Sequence, residues 1–251
     1  MRRRTQMSKK ARTAAQSRAD RAAAAVVEQE AAERRRRLLT IGGVLVVIVA
    51  VVAGGFWLQS SRDTTGQPAT PPGESSEHGL VLGDASAPHT VVIYEDFLCP
   101  FCGDLERAAD EGLTAAVEEG RARVEYRPVV FLERFGSYSL EAANAFGAVL
   151  DTSGPEVAKE FHDRLFEEQP AESGPFPETS WFTELAVEAG ADEAEVAPLI
   201  EDGAFVQWAE NATEAASQSG VVGTPTVLLD DEPVEGATID EMVDNLMAGL
   251  E

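Results

Sequence analysis

Two cysteines stand close together in the chain, and they are the only ones among its 251 residues. Cys99 and Cys102 enclose Pro100 and Phe101, which makes a C-x-x-C stretch. An apolar, β-branched run at 90–94 precedes it and predicts a buried strand, and a pattern of helical period follows it. Pro100 suits the first helical position, and the partial positive charge of a helix N-terminus favours a thiolate at Cys99. Both sulfurs then lie on one side, one turn apart, which predicts a site for thiol–disulfide exchange.

Two other uses of a cysteine pair compete with exchange. A zinc site needs four ligands, usually a second cysteine pair or histidines at short spacing. The chain has no second pair, and its histidines, His78, His89 and His162, lack that spacing. A purely structural disulfide across two residues closes a short loop and removes little entropy from the unfolded chain. Redox exchange is therefore the favoured interpretation, and the sequence predicts no metal site.

Charge is divided unevenly along the chain. Residues 1–37 contain twelve Lys and Arg against four Asp and Glu, a net of +8. The whole chain has a formal net charge of −24, so residues 38–251 have a net charge of −32. So acidic a segment would repel phosphate, which argues against nucleic acid as a partner. The simplest interpretation is that the acidic side chains of residues 38–251 keep the protein soluble. The basic segment at 1–37 suits binding to an anionic membrane surface.

A 21-residue stretch without charged side chains lies at 38–58. It is long enough to span a bilayer as a helix. The basic cluster just before it, Arg34, Arg35, Arg36 and Arg37, predicts a cytoplasmic N-terminus near anionic lipid and an external location for everything after the span. A cleaved signal peptide is the alternative, but its basic and apolar regions would both be unusually long.

The other segment boundaries of the chain are set from changes in amino-acid composition. Residues 1–37 form a basic cytoplasmic segment, and 59–78, rich in Ser, Thr, Pro and Gly, are typical of a flexible linker. One globular domain is expected over 79–251. Within it we expect strands at 80–82, 90–94, 124–131 and 221–230, a first helix ending near Gly120, a helical block at about 137–220, a short hairpin at 231–234, and a last helix with a capping box of Thr238 and Glu241.

Three stretches resemble the DsbA-like disulfide oxidoreductases of the thioredoxin superfamily. The run at 94–103 is similar to the active-site stretch of that family, and Gly223-Thr224-Pro225-Thr226 is similar to its cis-proline loop. The helical stretch that includes 161–166 resembles its inserted helical domain. The resemblance implies an α/β, thioredoxin-like fold with a helical insertion at about 137–220.

The same resemblance implies roles for individual residues. Cys99 would be the exposed nucleophile and Cys102 the buried resolving thiol, with the redox-active disulfide between them and no other cofactor. Pro225 would be cis, and the Thr224 backbone would pair with an extended substrate beside Pro100 and Phe101. Without the resemblance, Pro225 could equally be a trans proline that opens an edge strand.

Two positions depart from the family pattern. Phe101 stands where the best-known members carry a histidine. Because phenylalanine is uncharged, the Cys99 thiolate lacks the cationic neighbour that those members have. Ile93 stands six residues before the first cysteine, where many relatives carry a buried acid. Glu95 and Asp96 lie nearer to the cysteines; they either take over proton transfer or are exposed residues at the end of the strand.

These features predict a membrane-anchored, extracytoplasmic thiol–disulfide oxidoreductase that introduces disulfides into exported proteins through Cys99 and Cys102. An oxidising exterior is where such an enzyme belongs. It would need a membrane partner, linked to quinone, to reoxidise it. The alternatives are a reductase or isomerase that uses the same cysteines, and a chaperone or adaptor that uses only the peptide groove.

Overall fold

A five-stranded mixed sheet with the strand order β1-β3-β2-β4-β5 carries the cysteine pair at the end of its central strand. The structure, a computed structural model, describes residues 76–251. The strands are β1 (Leu80–Leu82), β2 (His89–Glu95), β3 (Ala122–Pro128), β4 (Thr226–Leu229) and β5 (Glu232–Pro233). The helices are α1 (Pro100–Glu118), α2 (Tyr138–Glu167), α3 (Thr179–Glu188), α4 (Glu193–Glu201), α5 (Val206–Gln218) and α6 (Ile239–Gly249), with a 3-10 turn at Glu133–Phe135.

Strand β2 is buried on both faces, which explains its continuous apolar sequence. It pairs in parallel with β3 and antiparallel with β4. Val91 and Ile93 belong to the main core, whereas Val92 and Tyr94 point to a smaller cluster on the opposite face. A strand covered on both sides cannot shift its register, so the residues at its end are held in place.

Four helices, α2 to α5, lie between β3 and β4 and form the helical insertion. Helix α2 is interrupted at Gly154, whose φ of 79° is followed by Pro155. Proline removes a helical hydrogen bond and glycine tolerates positive φ, so the pair accounts for the kink. The expected thioredoxin-like α/β fold with a helical insertion is confirmed for the part of the chain that the structure describes.

Several element boundaries differ from the sequence expectation. Strand β3 ends at Pro128 instead of continuing to 131. The Val129 amide still donates to the Glu95 carbonyl of β2, but the amides of Val130 and Phe131 bind the side chains of Thr213 and Asp96 rather than a neighbouring strand. Strand β4 begins at Thr226 rather than 221, and β5 is Glu232–Pro233. At the start of α6, Thr238 accepts a hydrogen bond from the Glu241 amide, and the Glu241 side chain accepts one from Ala237, one residue earlier than in a standard capping box.

The membrane span expected at 38–58, the basic segment at 1–37 and nearly all of the linker at 59–78 lie outside the described residues. Within residues 76–251, no helix combines the length and the apolar character needed to cross a bilayer.

Candidate active site

Cys99 is the N-cap residue of α1, and Pro100 occupies the first turn of that helix. The chain turns sharply between β2 and α1, where the Cys99 amide donates to the carbonyl of Asp96 at 2.8 Å. The Cys99 carbonyl accepts hydrogen bonds from the amides of Cys102 and Gly103 at 3.0 and 3.3 Å. The Gln169 side chain, just beyond α2, donates to the carbonyls of Phe97 and Cys99 at 2.9 and 3.0 Å. The helical insertion therefore helps to hold the loop that carries the nucleophile.

The Cys99 thiol has a pKa that is lowered to about 6. The largest cause is a hydrogen bond from the Cys102 thiol, burial opposes it, and further hydrogen bonds come from Thr224 and from the amides of Phe101 and Cys102. A thiol with this pKa is mostly thiolate at neutral pH, the form that acts as nucleophile.

Cys99 is less exposed than the family resemblance implied. Only 5% of the residue is accessible, because its Sγ lies 3.4 Å from the Thr224 carbonyl oxygen, under the loop that precedes β4. Phe101 is 62% exposed and Val222 is 96% exposed. The Cys99 sulfur is thus recessed, whereas the Phe101 side chain two positions further along is exposed to solvent.

Cys102 is buried like Cys99, with 1% of the residue exposed, but the pKa of its thiol shifts in the opposite direction. Burial raises the pKa of its thiol well above the usual value, and the hydrogen bond and negative charge at Cys99 raise it further. The pair therefore consists of one thiol that ionises easily and one that holds its proton.

The loop opposite the cysteines contains a cis peptide bond between Thr224 and Pro225, as the family resemblance implied. Thr226, the first residue of β4, donates from its hydroxyl to the Gly223 carbonyl at 2.8 Å. A cavity of about 640 Å³ opens beside Pro225, lined by the β4–β5 hairpin and the start of α6 and bordered by Glu235 and Glu241. The cavity therefore offers room for a chain segment along the Pro225 side of the loop.

Asp96 is fully buried and is not an exposed residue at the end of the strand. One carboxylate oxygen accepts from the Leu98 amide at 2.9 Å and from the Ser139 hydroxyl at 2.6 Å. The other accepts from the amides of Phe131 and Leu132 at 2.8 and 3.0 Å. Burial raises the pKa of this carboxyl, and these hydrogen bonds oppose the rise. Asp96 thus joins the active-site loop, the chain after β3 and the start of α2.

Glu95 is also buried, and its partner is a residue that the sequence did not connect with the site. Its Oε1 lies 2.7 Å from Nε2 of His162, which is fully buried on α2. Burial opposes protonation of His162, but the charges of Glu95 and Glu106 raise its pKa to about 10, so it is an imidazolium at neutral pH. Sixty-seven residues separate the pair. The apolar surroundings of His162 in the sequence, Phe161 and Leu165, are the only signal that it is buried.

The Glu95–His162 pair belongs to a larger group of ionisable side chains between β2, α1 and α2. Nδ1 of His162 lies 2.9 Å from Asp163 and 3.7 Å from Glu106. Nζ of Lys159 donates to Glu106 at 2.9 Å, to Asp110 at 2.6 Å and also to Asp163. Glu95, Glu106 and His162 lie close enough together to share a cation. The Lys159 ammonium and the His162 imidazolium already supply positive charge at that position.

The comparisons with known proteins agree with this geometry. The family model described as Thioredoxin (Thioredoxin_4) matches residues 75–247. Among solved structures, oxidised DsbA of Mycobacterium tuberculosis is 30% identical with a TM-score of 0.56, and the match covers 69% of this chain and all of that one. Reduced DsbG of the same organism is 30% identical with a TM-score of 0.58, and the match covers 74% of this chain and 98% of DsbG. MdbA of Corynebacterium diphtheriae, a thiol–disulfide oxidoreductase, is 27% identical with a TM-score of 0.59, and the match covers 71% of this chain and 94% of MdbA.

Among curated proteins, the serine/threonine-protein kinase PknE of Mycobacterium tuberculosis is 28% identical over 159 residues, which is 59% of this chain. The chain spans 28% of the length of that relative.

The fold, the asymmetric cysteine pair and the cis-proline loop define the DsbA-like class of thiol–disulfide oxidoreductases. The family match covers more than half of the chain, and the protein belongs to the thioredoxin family.

Phe101→His is expected to lower the pKa of Cys99 below its value of about 6. An imidazolium beside the sulfur would favour the thiolate, but position 101 is 62% exposed, so solvent and salt would screen the interaction. We therefore expect a shift smaller than about one pKa unit, which is less than about 1.4 kcal/mol. Thiolate absorbance followed against pH measures it. Phe101→Leu is the matched neutral control, and an equal shift in that variant would contradict a charge effect.

Proposed function

We propose that this protein is a membrane-anchored oxidase that introduces disulfide bonds into exported proteins through Cys99 and Cys102. The observation that carries the proposal is the Cys99 pKa of about 6. A stabilised thiolate favours the reduced form of such an enzyme and makes its disulfide a stronger oxidant. The similarity to DsbA of Mycobacterium tuberculosis and to MdbA supports the same chemistry.

The reaction begins with the Cys99–Cys102 disulfide. A substrate thiolate attacks Sγ of Cys99, the bond between the two enzyme sulfurs breaks, and Cys102 leaves with the electron pair. A second substrate thiolate then attacks the substrate sulfur in the mixed disulfide and releases Cys99 as a thiolate. Two substrate thiols are oxidised and one enzyme disulfide is reduced, so the electrons balance.

The recessed position of Cys99 favours a substrate in extended conformation. Such a chain would lie along the Thr224–Pro225 loop, with Phe101 and Pro100 as apolar contacts beside the sulfur. The cavity next to Pro225 would receive its neighbouring side chains. Glu235 and Glu241 at the border of that cavity favour substrates with basic residues near the cysteine.

The anchor and the partner in this proposal come from the sequence. The uncharged span at 38–58 and the four arginines at 34–37 support a cytoplasmic N-terminus held near anionic lipid, with the catalytic domain outside the membrane. Each turnover leaves the enzyme as a dithiol. A membrane partner linked to quinone would restore the disulfide by accepting the two electrons.

One experiment in intact cells tests the direction of electron flow and the location together. Cells are quenched with acid and the free thiols are alkylated, so that the resting state of Cys99 and Cys102 is read by mass. An oxidase is expected to be mainly in the disulfide form, whereas a resting dithiol would indicate a reductase or an isomerase. In a parallel sample, intact cells are treated with a reductant and then with a membrane-impermeant maleimide. Cys99 should react before lysis, and reaction only after lysis would overturn the external location.

A further inference from the structure

The side chain of Gln169 reaches from the end of α2 to the loop that carries the nucleophile. Helix α2 ends at Glu167, and Pro170 disfavours a helical conformation at the residue before it. Gln169 therefore lies outside the helix, and its Nε2 donates to the carbonyl oxygens of Phe97 and Cys99 at 2.9 and 3.0 Å. Both N–H groups of this one amide are thus used on the loop between β2 and α1.

The orientation of that amide is fixed by its partners. A carbonyl oxygen only accepts hydrogen bonds, so the amide atom that faces Phe97 and Cys99 is the nitrogen. The amide oxygen then faces α1, where a Cβ atom added at Gly103 would lie 2.9 Å from Oε1 of Gln169. Gly103 therefore provides the space in which the amide reaches both carbonyls.

Two further contacts hold the end of α2 beside the same loop. The rings of Phe97 and Phe166, which are both buried, have their centroids 5.3 Å apart. Arg107 of α1 pairs with Asp104 at 2.6 Å, and its Nη1 lies 3.5 Å from the Phe166 carbonyl oxygen. Because the end of α2 is held by both the loop and α1, the Gln169 amide is pre-organised for its two hydrogen bonds.

The Cys99 carbonyl is also the acceptor for the first amides of α1. The amides of Cys102 and Gly103 donate to it at 3.0 and 3.3 Å, and the Cys102 amide also stabilises the Cys99 thiolate. This N–H group is therefore shared between the oxygen and the sulfur of one residue. Because Gln169 supplies the oxygen with another donor, the Cys102 amide can turn toward the charged sulfur, where its hydrogen bond is stronger.

We propose that Gln169 is a positioning residue of the exchange reaction, whose amide fixes the Cys99 backbone and leaves the Cys102 amide to the Cys99 sulfur. The inference rests on the proposed exchange at Cys99 and Cys102, and it deepens that proposal by naming the residue of the helical insertion that supports the thiolate. Gln169 contacts backbone oxygens and not the reacting sulfurs, so it acts through Cys99.

The hydrogen bonds that stabilise the Cys99 thiolate make its pKa sensitive to the position of the loop. They come from the Cys102 thiol, from Thr224 and from the amides of Phe101 and Cys102, and they outweigh burial. Burial, the neighbouring Cys99 and the charge of Glu95 raise the pKa of the Cys102 thiol, so this donor keeps its proton. Hydrogen bonds weaken steeply with angle and distance, so a displaced Cys99 backbone weakens several of them together.

Gln169→Met removes both donors and keeps the length of the side chain. In the full chain it should raise the Cys99 pKa by about half a unit to one unit, because the thiolate loses part of its hydrogen bonding. The equilibrium constant for oxidation of glutathione by the enzyme disulfide should fall about three- to tenfold with it. Thiolate absorbance against pH measures the first quantity, and equilibration in glutathione buffers measures the second. Gln218→Met, which removes an exposed hydrogen bond to Glu214 on α5, is the matched control and should change neither.

Gly103→Ala tests the same contact from α1. Its added Cβ would meet the ends of two flexible side chains, the Gln169 amide and the Arg107 guanidinium at 3.1 Å, so it displaces the amide and spares the backbone. This variant should reproduce both changes of Gln169→Met. In the Gln169→Met background it should add no measurable change, because residues that act through one contact are not additive.

Thermal unfolding of each variant separates positioning of the nucleophile from support of the fold. An unchanged Cys99 pKa and an unchanged glutathione equilibrium would overturn the inference, even where stability falls. Gly103→Ala decides the matter if Gln169→Met does not fold. A wild-type disulfide that fails to oxidise glutathione would instead overturn the proposed oxidase, while the comparison of Cys99 pKa values would still test Gln169, so the two failures are distinguishable.

Discussion

Cys99→Ser should abolish thiol–disulfide exchange, with a loss of at least about a thousandfold in rate, as expected when a catalytic nucleophile is removed. The physical reason is that the enzyme disulfide needs both of the chain's cysteines, and that Cys99, whose thiol has a pKa of about 6, is the sulfur that forms the mixed disulfide and then leaves as a thiolate. A serine oxygen in the same place forms neither the enzyme disulfide nor a mixed disulfide. The measurement is the rate at which a reduced peptide with two cysteines forms its disulfide after wild-type protein and variant have been given the same oxidant treatment.

Cys102→Ser is the matched variant for that experiment. It keeps the nucleophile and removes the thiol that resolves the mixed disulfide, so it should accumulate substrates covalently attached to Cys99. Mass spectrometry of the trapped species identifies the attached peptide. Exchange activity that survives in Cys99→Ser would contradict the assignment, and cellular function that survives without exchange would favour the chaperone or adaptor alternative.

Asp96→Ala should lower the free energy of unfolding by about 3–5 kcal/mol, because it leaves several buried hydrogen-bond donors without an acceptor. These donors are the amides of Leu98, Phe131 and Leu132 and the hydroxyl of Ser139. The expected loss is a large part of the 5–15 kcal/mol that typically stabilises a domain. Urea unfolding of residues 76–251 within the full chain, followed by fluorescence, measures it.

Two further variants show whether the loss comes from this set of hydrogen bonds. Ser139→Ala removes one donor together with its bond and should cost only about 1 kcal/mol. Asp84→Ala, at an exposed turn where the carboxylate accepts from the amide and hydroxyl of Ser86, is the control and should leave the free energy of unfolding unchanged within experimental error. A loss below about 1 kcal/mol in Asp96→Ala would contradict the structural role of the buried carboxylate.

Much of the reactive centre could be read from local sequence. Strand β2, the proline in the first turn of α1 and the helical pattern after Cys102 all depend on residues within a few positions of one another. Local sterics and hydrophobic period decide such features, so they place both cysteines at a helix start without knowledge of the rest of the chain. The membrane span at 38–58 depends on composition alone and stays a prediction.

The apolar period of the sequence predicted a helical block at about 137–220, whereas the cis bond at Pro225 was expected from family resemblance rather than from local physics. A proline before a strand is compatible with either a cis or a trans bond, and only packing against another part of the chain selects between them. In the structure that packing is against Cys99, which lies 125 positions away from Thr224 in the chain.

The surroundings of the site were decided by tertiary structure. Sequence left Glu95 and Asp96 equivalent, as two acids at the end of a strand, but alternate residues of a strand point to opposite sides and meet different neighbours. Asp96 meets three amides and Ser139, and Glu95 meets His162 from the middle of α2. Burial of charged groups is tolerated only where such partners are present, and those partners are supplied by the way α2 packs on the sheet. The C-x-x-C chemistry was thus determined by sequence, whereas the low exposure of Cys99, the role of each acid and the charged network beside Cys102 arise from contacts between distant segments.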